Sequence, residues 1–446
     1  PAYIIAYTYA GLLDFAGPVQ SWIRDLTGLS YGDYWFFEIR SLGGAIIMMS
    51  LVLYPYVYLM ARAAFLEQSV SSIEVGCSLG YSRWQALWKL ALPMARPAII
   101  AGLSLALMET LADYGTVQYY GVSTFTTGIF RTFYGYGDTA AAAQLAASLL
   151  AFVILLVLLE RYSRRRARYH SAAESRARAD LIPLSGSKAI MACVICLSPL
   201  MFGFIIPATQ LLFWAVFEAE PLGWDFVGLA WNSFSLAFLA AIIAVILAII
   251  LFYAKRTKPI KPVRIVLAMA GFGYALPGTI IAIGVLIPLA WLDHRLIDIF
   301  GSWGWDSPGL LLSGSLVALL FAYTVRFLAV AIGSVQSGLE KVKPSLDQAG
   351  RSMGHSPLDI LRKIHVPLMR SSILTAVLIV FVDVLKELPA TLILRPFNFN
   401  TMAVRAYELA SDERLVDAAP ASIMIVLVGL IPVLMLHASI ARRRPH

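Results

Sequence analysis

The sequence predicts an all-α integral membrane protein with two homologous bundles of transmembrane helices. Of its 446 residues, 59% are hydrophobic and only 14% are charged, whereas soluble domains have roughly half and a quarter. Many apolar runs reach about 20 residues, the length that an α-helix needs to cross a bilayer. In addition, a 20-residue segment occurs twice with the same internal spacing. These three observations predict a membrane protein with an internal repeat.

Ten membrane spans are predicted, four before and six after an arginine-rich segment. We divide the chain into a first repeat (1–160), a basic linker (161–188) and a second repeat (189–446). The linker has seven arginines between positions 161 and 180. The predicted spans cover about residues 1–17, 41–61, 97–117 and 139–159 in the first repeat, and 189–217, 232–254, 265–292, 309–335, 369–391 and 415–440 in the second.

The distribution of charge predicts the orientation of the chain. Its net charge of +8 does not indicate nucleic-acid binding, because the basic residues cluster in loops between apolar runs. Loops rich in Lys and Arg remain in the cytoplasm, so the linker and the C-terminus are expected there. The acidic segment 218–225 is expected on the opposite side. Membrane lipid is an expected partner, nucleic acid is not, and no metal ligands are assigned.

The repeated segment defines a register between the two halves. It reads EVGCSLGYSRWQALWKLALP from Glu74 to Pro93 and QAGRSMGHSPLDILRKIHVP from Gln348 to Pro367. A shift of 274 residues aligns the two copies without a gap, and a shift of 276 aligns Pro1 with Pro277. Pro277 falls in the middle of a predicted span. The first repeat is therefore expected to lack about two spans of a six-plus-six arrangement around a pseudo-two-fold axis.

Each copy is expected to form two short helices on the cytoplasmic face. Gly80 and Gly354 lie between the helices, where a residue without Cβ can adopt a left-handed turn. Pro93 and Pro367 suit the first turn of the membrane helix that follows, because that position needs no N–H donor. Such a rigid, exposed shape can be docked by a partner.

This pattern resembles the loop Glu-Ala-Ala-x3-Gly-x9-Ile-x-Leu-Pro of permease subunits of binding-protein-dependent ABC importers. Two copies in one chain resemble the fused ferric-iron-type permeases, to which the segments 8–20, 109–117 and 386–399 are also similar. The resemblance implies a multi-pass protein of the bacterial inner membrane. It also implies ATP-driven import of a solute, first of all ferric iron, from an extracytoplasmic binding protein. Thiamine, polyamine, phosphonate and sulfate remain alternative substrates.

The resemblance further implies that each loop docks into a cytoplasmic ATPase subunit, of which an importer has two copies. No GxxxxGK[ST] motif occurs in the chain, so ATP and magnesium are expected on that subunit and no cofactor on this chain. By position, the docking residues are Glu74, Gly80 and Pro93 in the first copy, and Gln348, Ala349, Gly354 and Pro367 in the second.

Both copies depart from the family pattern. Val75 and Gly76 replace the two alanines in the first copy, and Gly350 replaces the second alanine in the other. Gln348 replaces the acid, for which Asp347 is a possible substitute. The two docking sites are therefore expected to be unequal.

Four carboxylates in the membrane spans are related by the same register. Glu109 and Asp113 align with Asp383 and Glu387, at i and i+4 on one helix face. An ionised side chain costs about 2.5–3.5 kcal/mol at the bilayer centre. Three interpretations remain open: a cation path with oxygen ligands that suit Fe(III), a gate paired with Lys386 or with backbone donors at helix ends, or solvated groups at the membrane interface.

Two other classes of protein are less consistent with the sequence. A secondary transporter also has repeats and buried acids, but it does not need two cytoplasmic loops of matched spacing. A membrane-embedded enzyme needs a motif such as HExxH, and the six histidines lack such spacing. We therefore expect no catalytic residue in this chain.

Overall fold

The computed structural model describes residues 1–30, 32–67, 76–165, 184–307 and 309–441. Within these ranges all regular secondary structure is helical. Among the described residues, eight helices are long and apolar enough to cross a membrane. The predicted all-α membrane fold is confirmed, whereas the pseudo-two-fold relation stays a prediction. Glu74, most of the linker and the terminal arginines lie outside the described residues.

Eight helices with both ends among the described residues begin before position 219. They are α1 (Ala2–Leu13), α2 (Pro18–Thr27), α3 (Leu42–Glu67), α4 (Arg83–Ala112), α5 (Gly115–Tyr119), α6 (Phe125–Phe130), α7 (Thr139–Arg165) and α8 (Ser187–Glu218).

Nine helices follow. They are α9 (Trp224–Thr257), α10 (Lys261–Ala270), α11 (Gly278–Ser302), α12 (Leu316–Leu339), α13 (Pro344–Ser352), α14 (Pro357–Leu385), α15 (Pro389–Leu394), α16 (Met402–Ser411) and α17 (Leu415–Ala441).

The chain forms two compact units. One contains residues 1–123 and 147–209, and the other contains residues 124–146 and 210–446. Each unit thus includes residues from both sides of the linker. A compact unit and a sequence repeat are different properties, so the division into two repeats stays a prediction.

In the first unit, α1 packs against α3 and α5. Tyr120 joins their buried cluster, and its hydroxyl donates a 3.0 Å hydrogen bond to the carbonyl oxygen of Ala6. The helix α1 ends at Leu13 rather than at the predicted position 17. The predicted end of this span is therefore wrong.

The predicted span 265–292 is also wrong in its bounds. The chain forms α10, then a short 3₁₀ turn at Gly273–Ala275, and only then the membrane helix α11. Gly273 lies so close to α12 that a Cβ there would collide with the carbonyl of Val325. Pro277 is the N-cap of α11 rather than the middle of a span.

The core of the second unit consists of α9, α12 and α14, which pack against one another. The buried face of α9 is formed mainly by small residues, which let membrane helices approach closely. These residues are Ser233, Ala237, Ala240, Ala241, Ala244 and Ala248. This three-helix core positions the second copy of the repeated segment at one end of the unit.

Candidate functional site

The glycine turn has the same geometry in both copies of the repeated segment. We call residues 76–93 the first loop and residues 344–367 the second loop. Gly80 has φ of +89° and Gly354 has φ of +80°, so the predicted left-handed turn is confirmed. The next residue, Tyr81 or His355, donates its N–H to the carbonyl five residues earlier, at 3.0 and 3.1 Å. This is the bond that closes a helix in a Schellman motif.

After the turn, each loop continues without interruption into a membrane helix. A π-helical turn occupies Leu87–Ala91 in α4 and Leu361–His365 in α14, at positions related by the 274-residue shift. Pro93 and Pro367 follow this turn by two residues. Proline lacks an N–H and its ring crowds the preceding turn, and the wider π turn accommodates both. The separate second helix that we predicted is therefore the start of the membrane helix.

The first helix of each loop packs tightly on the second through a buried glycine. A Cβ on Gly76 would lie 2.9 Å from the Cβ of Ala86. A Cβ on Gly350 would lie 2.9 Å from Cγ1 of Ile360, the residue that aligns with Ala86. An alanine at either position would therefore clash with the second helix of its loop. This clash explains why both copies have glycine where the family pattern has alanine.

In the second loop, Gln348 and Ala349 lie on the exposed side of α13. Asp347 does not, since its side chain is only 16% exposed and accepts a 2.7 Å hydrogen bond from Nε of Arg256. Burial alone would raise the pKa of the Asp347 carboxyl. The hydrogen bonds and charges of Arg256 and His365 outweigh burial and hold this pKa below its usual range. Asp347 points inward, so our suggestion that it substitutes for the acid at position 348 is wrong.

Asp113 lies at the end of α4, where its carboxylate caps the short helix α5. Oδ2 accepts hydrogen bonds from the N–H groups of Thr116 and Val117 at 3.1 and 3.2 Å, and Oδ1 accepts one from the Thr116 hydroxyl at 3.0 Å. A carboxylate at a helix N-terminus satisfies free N–H groups and interacts favourably with the helix dipole.

Glu387 has the same function at the start of α15. Its Oε1 accepts a 3.0 Å hydrogen bond from the N–H of Ala390, the residue that aligns with Thr116. Its Oε2 lies 3.6 Å from Nε of Arg326, a buried residue in the middle of α12. The sequence prediction did not include Arg326, although a single arginine inside an apolar run is a recognised sign of a functional or paired residue.

The remaining two acids have different surroundings. Asp383 is largely buried and lies 2.8 Å from Nζ of Lys386. Glu109, its counterpart on α4, is half-buried and has no side-chain hydrogen bond or ion pair among the residues that the structure describes. Ala112 stands where the second repeat has Lys386. Within the described residues, an ion pair with a lysine is therefore found at this position in the second repeat and not in the first.

Comparison with known proteins identifies the family. The family described as "Binding-protein-dependent transport system inner membrane component" matches residues 19–169 and 259–444, well over half of the chain. The chain belongs to this family. It is accordingly a multi-pass inner-membrane permease component of an ABC importer.

Several individual proteins are similar to this permease. The Fe(3+)-transport system permease protein FbpB 2 of Haemophilus influenzae is 26% identical over 406 residues, which cover 90% of this chain and 77% of that protein. The ferric transport system permease protein FbpB of Actinobacillus pleuropneumoniae is 21% identical over 450 residues, 96% of this chain and 62% of that protein. The molybdenum transport system permease protein ModB of Haemophilus influenzae is 25% identical over 161 residues, 36% of this chain and 67% of that protein.

Proposed function

We propose that the permease imports ferric iron, which an extracytoplasmic binding protein delivers and ATP hydrolysis on a separate subunit drives. The observation that carries the substrate is the extent of similarity. Two proteins named as ferric permeases align with nine-tenths or more of the chain, whereas the molybdenum permease aligns with about a third. Thiamine, polyamine, phosphonate and sulfate are the alternative cargoes.

We further propose that two cytoplasmic ATPase subunits, which carry the ATP and magnesium, dock on the two loops. The matched geometry of the loops supports this proposal, because two copies of one subunit need two sites of one shape. Glycine turn, π turn and proline all occur at equivalent positions in both loops. In this proposal the loops and the C-terminus face the cytoplasm, and Glu74 and Gln348 make the two interfaces unequal.

The proposal is tested with the full chain in proteoliposomes, together with its ATPase and binding protein. We expect the binding protein to stimulate ATP hydrolysis when it carries ferric ion. If thiamine, a polyamine, a phosphonate or sulfate stimulates hydrolysis and ferric ion does not, the substrate assignment is wrong but the chain is still an ATP-driven importer. If an ion gradient drives uptake without ATP, the chain is a secondary transporter.

For the four membrane carboxylates, we propose that Glu109 contacts the imported ferric ion. The other three, Asp113, Asp383 and Glu387, stabilise helix ends. The hydrogen bonds of Asp113 and Glu387 to helix starts support the second part, as does the ion pair of Asp383. Among the four, Glu109 is the one whose oxygens have no protein partner within the described residues. Carboxylate oxygens suit a hard cation.

Replacing Glu109 with glutamine is expected to lower ferric uptake about tenfold, because a contact to a charged group contributes roughly 1.5–3 kcal/mol. ATP hydrolysis and assembly with the ATPase should be preserved, since Glu109 lies 16 residues after Pro93 on α4, which is about 24 Å along the helix. The measurement is the initial rate of iron uptake in proteoliposomes. Asp412→Asn, which alters an exposed carboxylate, is the control. Uptake equal to that of the control would exclude Glu109 from the path.

A further inference from the structure

A buried charged cluster attaches the second loop to the membrane helices. It consists of Arg256 at the end of α9, Asp347 in α13 and His365 in the π turn of α14, and we call it the anchor cluster. Nε of Arg256 donates to one carboxylate oxygen of Asp347 at 2.7 Å, and Nε2 of His365 donates to the other. His365 is fully buried. One carboxylate thus joins α13 to two membrane helices.

Arg256 extends the cluster to a third membrane helix. Its Nη1 and Nη2 donate hydrogen bonds of 2.9 and 2.8 Å to the carbonyl oxygens of Leu339 and Val342. Leu339 is the last residue of α12 and Val342 lies three residues beyond it; at the end of a helix, carbonyl groups lack partners within the helix and the helix dipole is negative. The guanidinium group presents five N–H donors in a rigid fork. It can therefore bind α12 and α13 at the same time.

Tyr253 holds the histidine in place. Its ring meets the imidazole of His365 edge-on, with ring centroids 5.4 Å apart and an interplanar angle of 82°. Its hydroxyl donates a hydrogen bond to the carbonyl of Pro357, the first residue of α14. Through these two contacts of Tyr253, α9 is also joined directly to α14.

The helix α13 has little else that attaches it. It has nine residues, of which only Gly350 is fully buried, and a helix of this length is not stable alone in water. Gly350 packs on Ile360 within the same loop. Among the described residues, the hydrogen bonds of Asp347 with Arg256 and His365 connect the side chains of α13 to the three-helix core.

The sequence of the first copy lacks the residues of the anchor cluster. The 274-residue shift places Ile73 at the position of Asp347 and Ala91 at that of His365. Isoleucine and alanine have no polar side-chain atom, so these residue types cannot form the hydrogen bonds of Asp347 and His365. The anchor cluster therefore distinguishes the second loop from the first.

We infer that Asp347 is a positioning residue, which makes α13 move as one body with α9, α12 and α14. Displacement of a subunit docked on the second loop would then pass directly to the membrane helices, whereas the first loop transmits it through apolar packing. The transmission of this movement rests on the proposed function, because it needs an ATPase docked on the second loop. The attachment of α13 to the membrane helices does not depend on the proposed function.

The attachment is tested by hydrogen–deuterium exchange of the purified full chain. Asp347→Ala is expected to accelerate exchange of the α13 amides about tenfold or more. Without the hydrogen bonds of the anchor cluster, local opening of α13 costs less free energy. Asp347→Asn keeps an acceptor for Arg256 and should have a smaller effect in the same direction. The amides of α16, in the same unit, serve as the reference for correct folding. Unchanged exchange of α13 in the alanine variant would overturn the inference.

Two further variants show whether the effect arises in the cluster. Asp359→Ala removes an exposed carboxylate of the same loop, which lies 3.6 Å from Lys363, and should leave the exchange of α13 unchanged. Combining Asp347→Asn with Arg256→Met should accelerate this exchange by less than the two single changes added together, because the two residues share one contact. Fully additive effects would overturn the role of the pair.

The transmission is tested in the reconstituted importer by the number of ATP molecules hydrolysed per solute molecule imported. Asp347→Ala is expected to raise this number about twofold or more, since coupling between the two events is weakened. A purely structural defect would lower both rates together and leave the number constant, which would overturn the transmission. If no ATPase assembles with the wild-type chain, the proposed function fails, and the exchange experiment still decides the attachment.

Discussion

Replacing Arg326 with methionine should lower the free energy of unfolding by roughly 3–5 kcal/mol, because Glu387 is then a buried charge without a counter-ion. The two side chains are only 7% and 5% exposed, and the atoms Nε and Oε2 lie 3.6 Å apart. Methionine fills a similar volume, so the expected loss is electrostatic rather than steric. The measurement is equilibrium unfolding of the full chain in detergent micelles.

A second change in the same chain separates the charge from the packing. Adding Glu387→Gln to Arg326→Met should restore most of the lost stability, since the buried charge is removed while the side-chain oxygen still accepts from the N–H of Ala390. Arg405→Met alters an exposed arginine of the same unit and should change stability by less than about 0.5 kcal/mol. If the double variant is no more stable than Arg326→Met, the ion pair is not the cause.

Gly278 shows how closely this ion pair is enclosed. A Cβ at this position, the first residue of α11, would collide with Oε1 of Glu387 and with Nη1 of Arg326. The glycine therefore allows α11 to cover the pair. The contact between Arg326 and Glu387 thus brings together α11, α12 and the segment that follows α14. This explains why loss of the ion pair is expected to lower stability strongly.

The geometry of the loops could be predicted from the sequence because its causes are local. A left-handed turn at Gly80 or Gly354 depends on the residue itself and its nearest neighbours, and the repeat supplied a second example of the same turn. The π turns were missed, because proline in the first turn of a helix is compatible with either a new helix or a continuous one. Only the hydrogen bonds before Pro93 and Pro367 distinguish the two.

The surroundings of the membrane carboxylates could not be predicted, because their partners come from distant parts of the chain. The i and i+4 spacing predicted one helix face for Asp383 and Glu387, and this is wrong because α14 ends at Leu385 and Glu387 lies beyond it. The spacing could not show that Glu387 lies beside Arg326, which is 61 positions earlier in the sequence. Asp347 was misjudged for the same reason, since Arg256 belongs to a membrane helix that precedes the loop by almost a hundred residues.

The breaks in the predicted spans have a similar origin. The apolar stretch 265–292 contains Gly271, Gly273 and Pro277, each of which is tolerated within some membrane helices. Whether the helix breaks there depends on its neighbours. Gly273 contacts the backbone of α12, and this tertiary contact is the local reason for the 3₁₀ turn.

Replacing Gly76 with alanine should reduce ATP-driven uptake about tenfold, because overpacking of a close contact costs roughly 1–3 kcal/mol. The new methyl group would lie 2.9 Å from the Cβ of Ala86 and 2.8 Å from Cδ1 of Leu90. Leu90 can rotate away, but the Cβ of Ala86 is fixed to the backbone. The two helices of the first loop must then separate, which changes the shape that the ATPase binds.

The equivalent change in the second loop should be milder. A methyl group on Gly350 would meet Cγ1 of Ile360 at 2.9 Å, and a change of side-chain rotamer can relieve this contact at a moderate cost.

Gly333→Ala, in the middle of α12, is the control, because no atom lies within 4 Å of the added carbon and alanine favours a helix. Uptake by all three variants is compared at equal amounts of folded permease in the membrane. Normal uptake by the Gly76 variant would mean that close contact between the two helices of the first loop is not needed for coupling. Loss in the Gly333 variant would mean that any added methyl group is harmful.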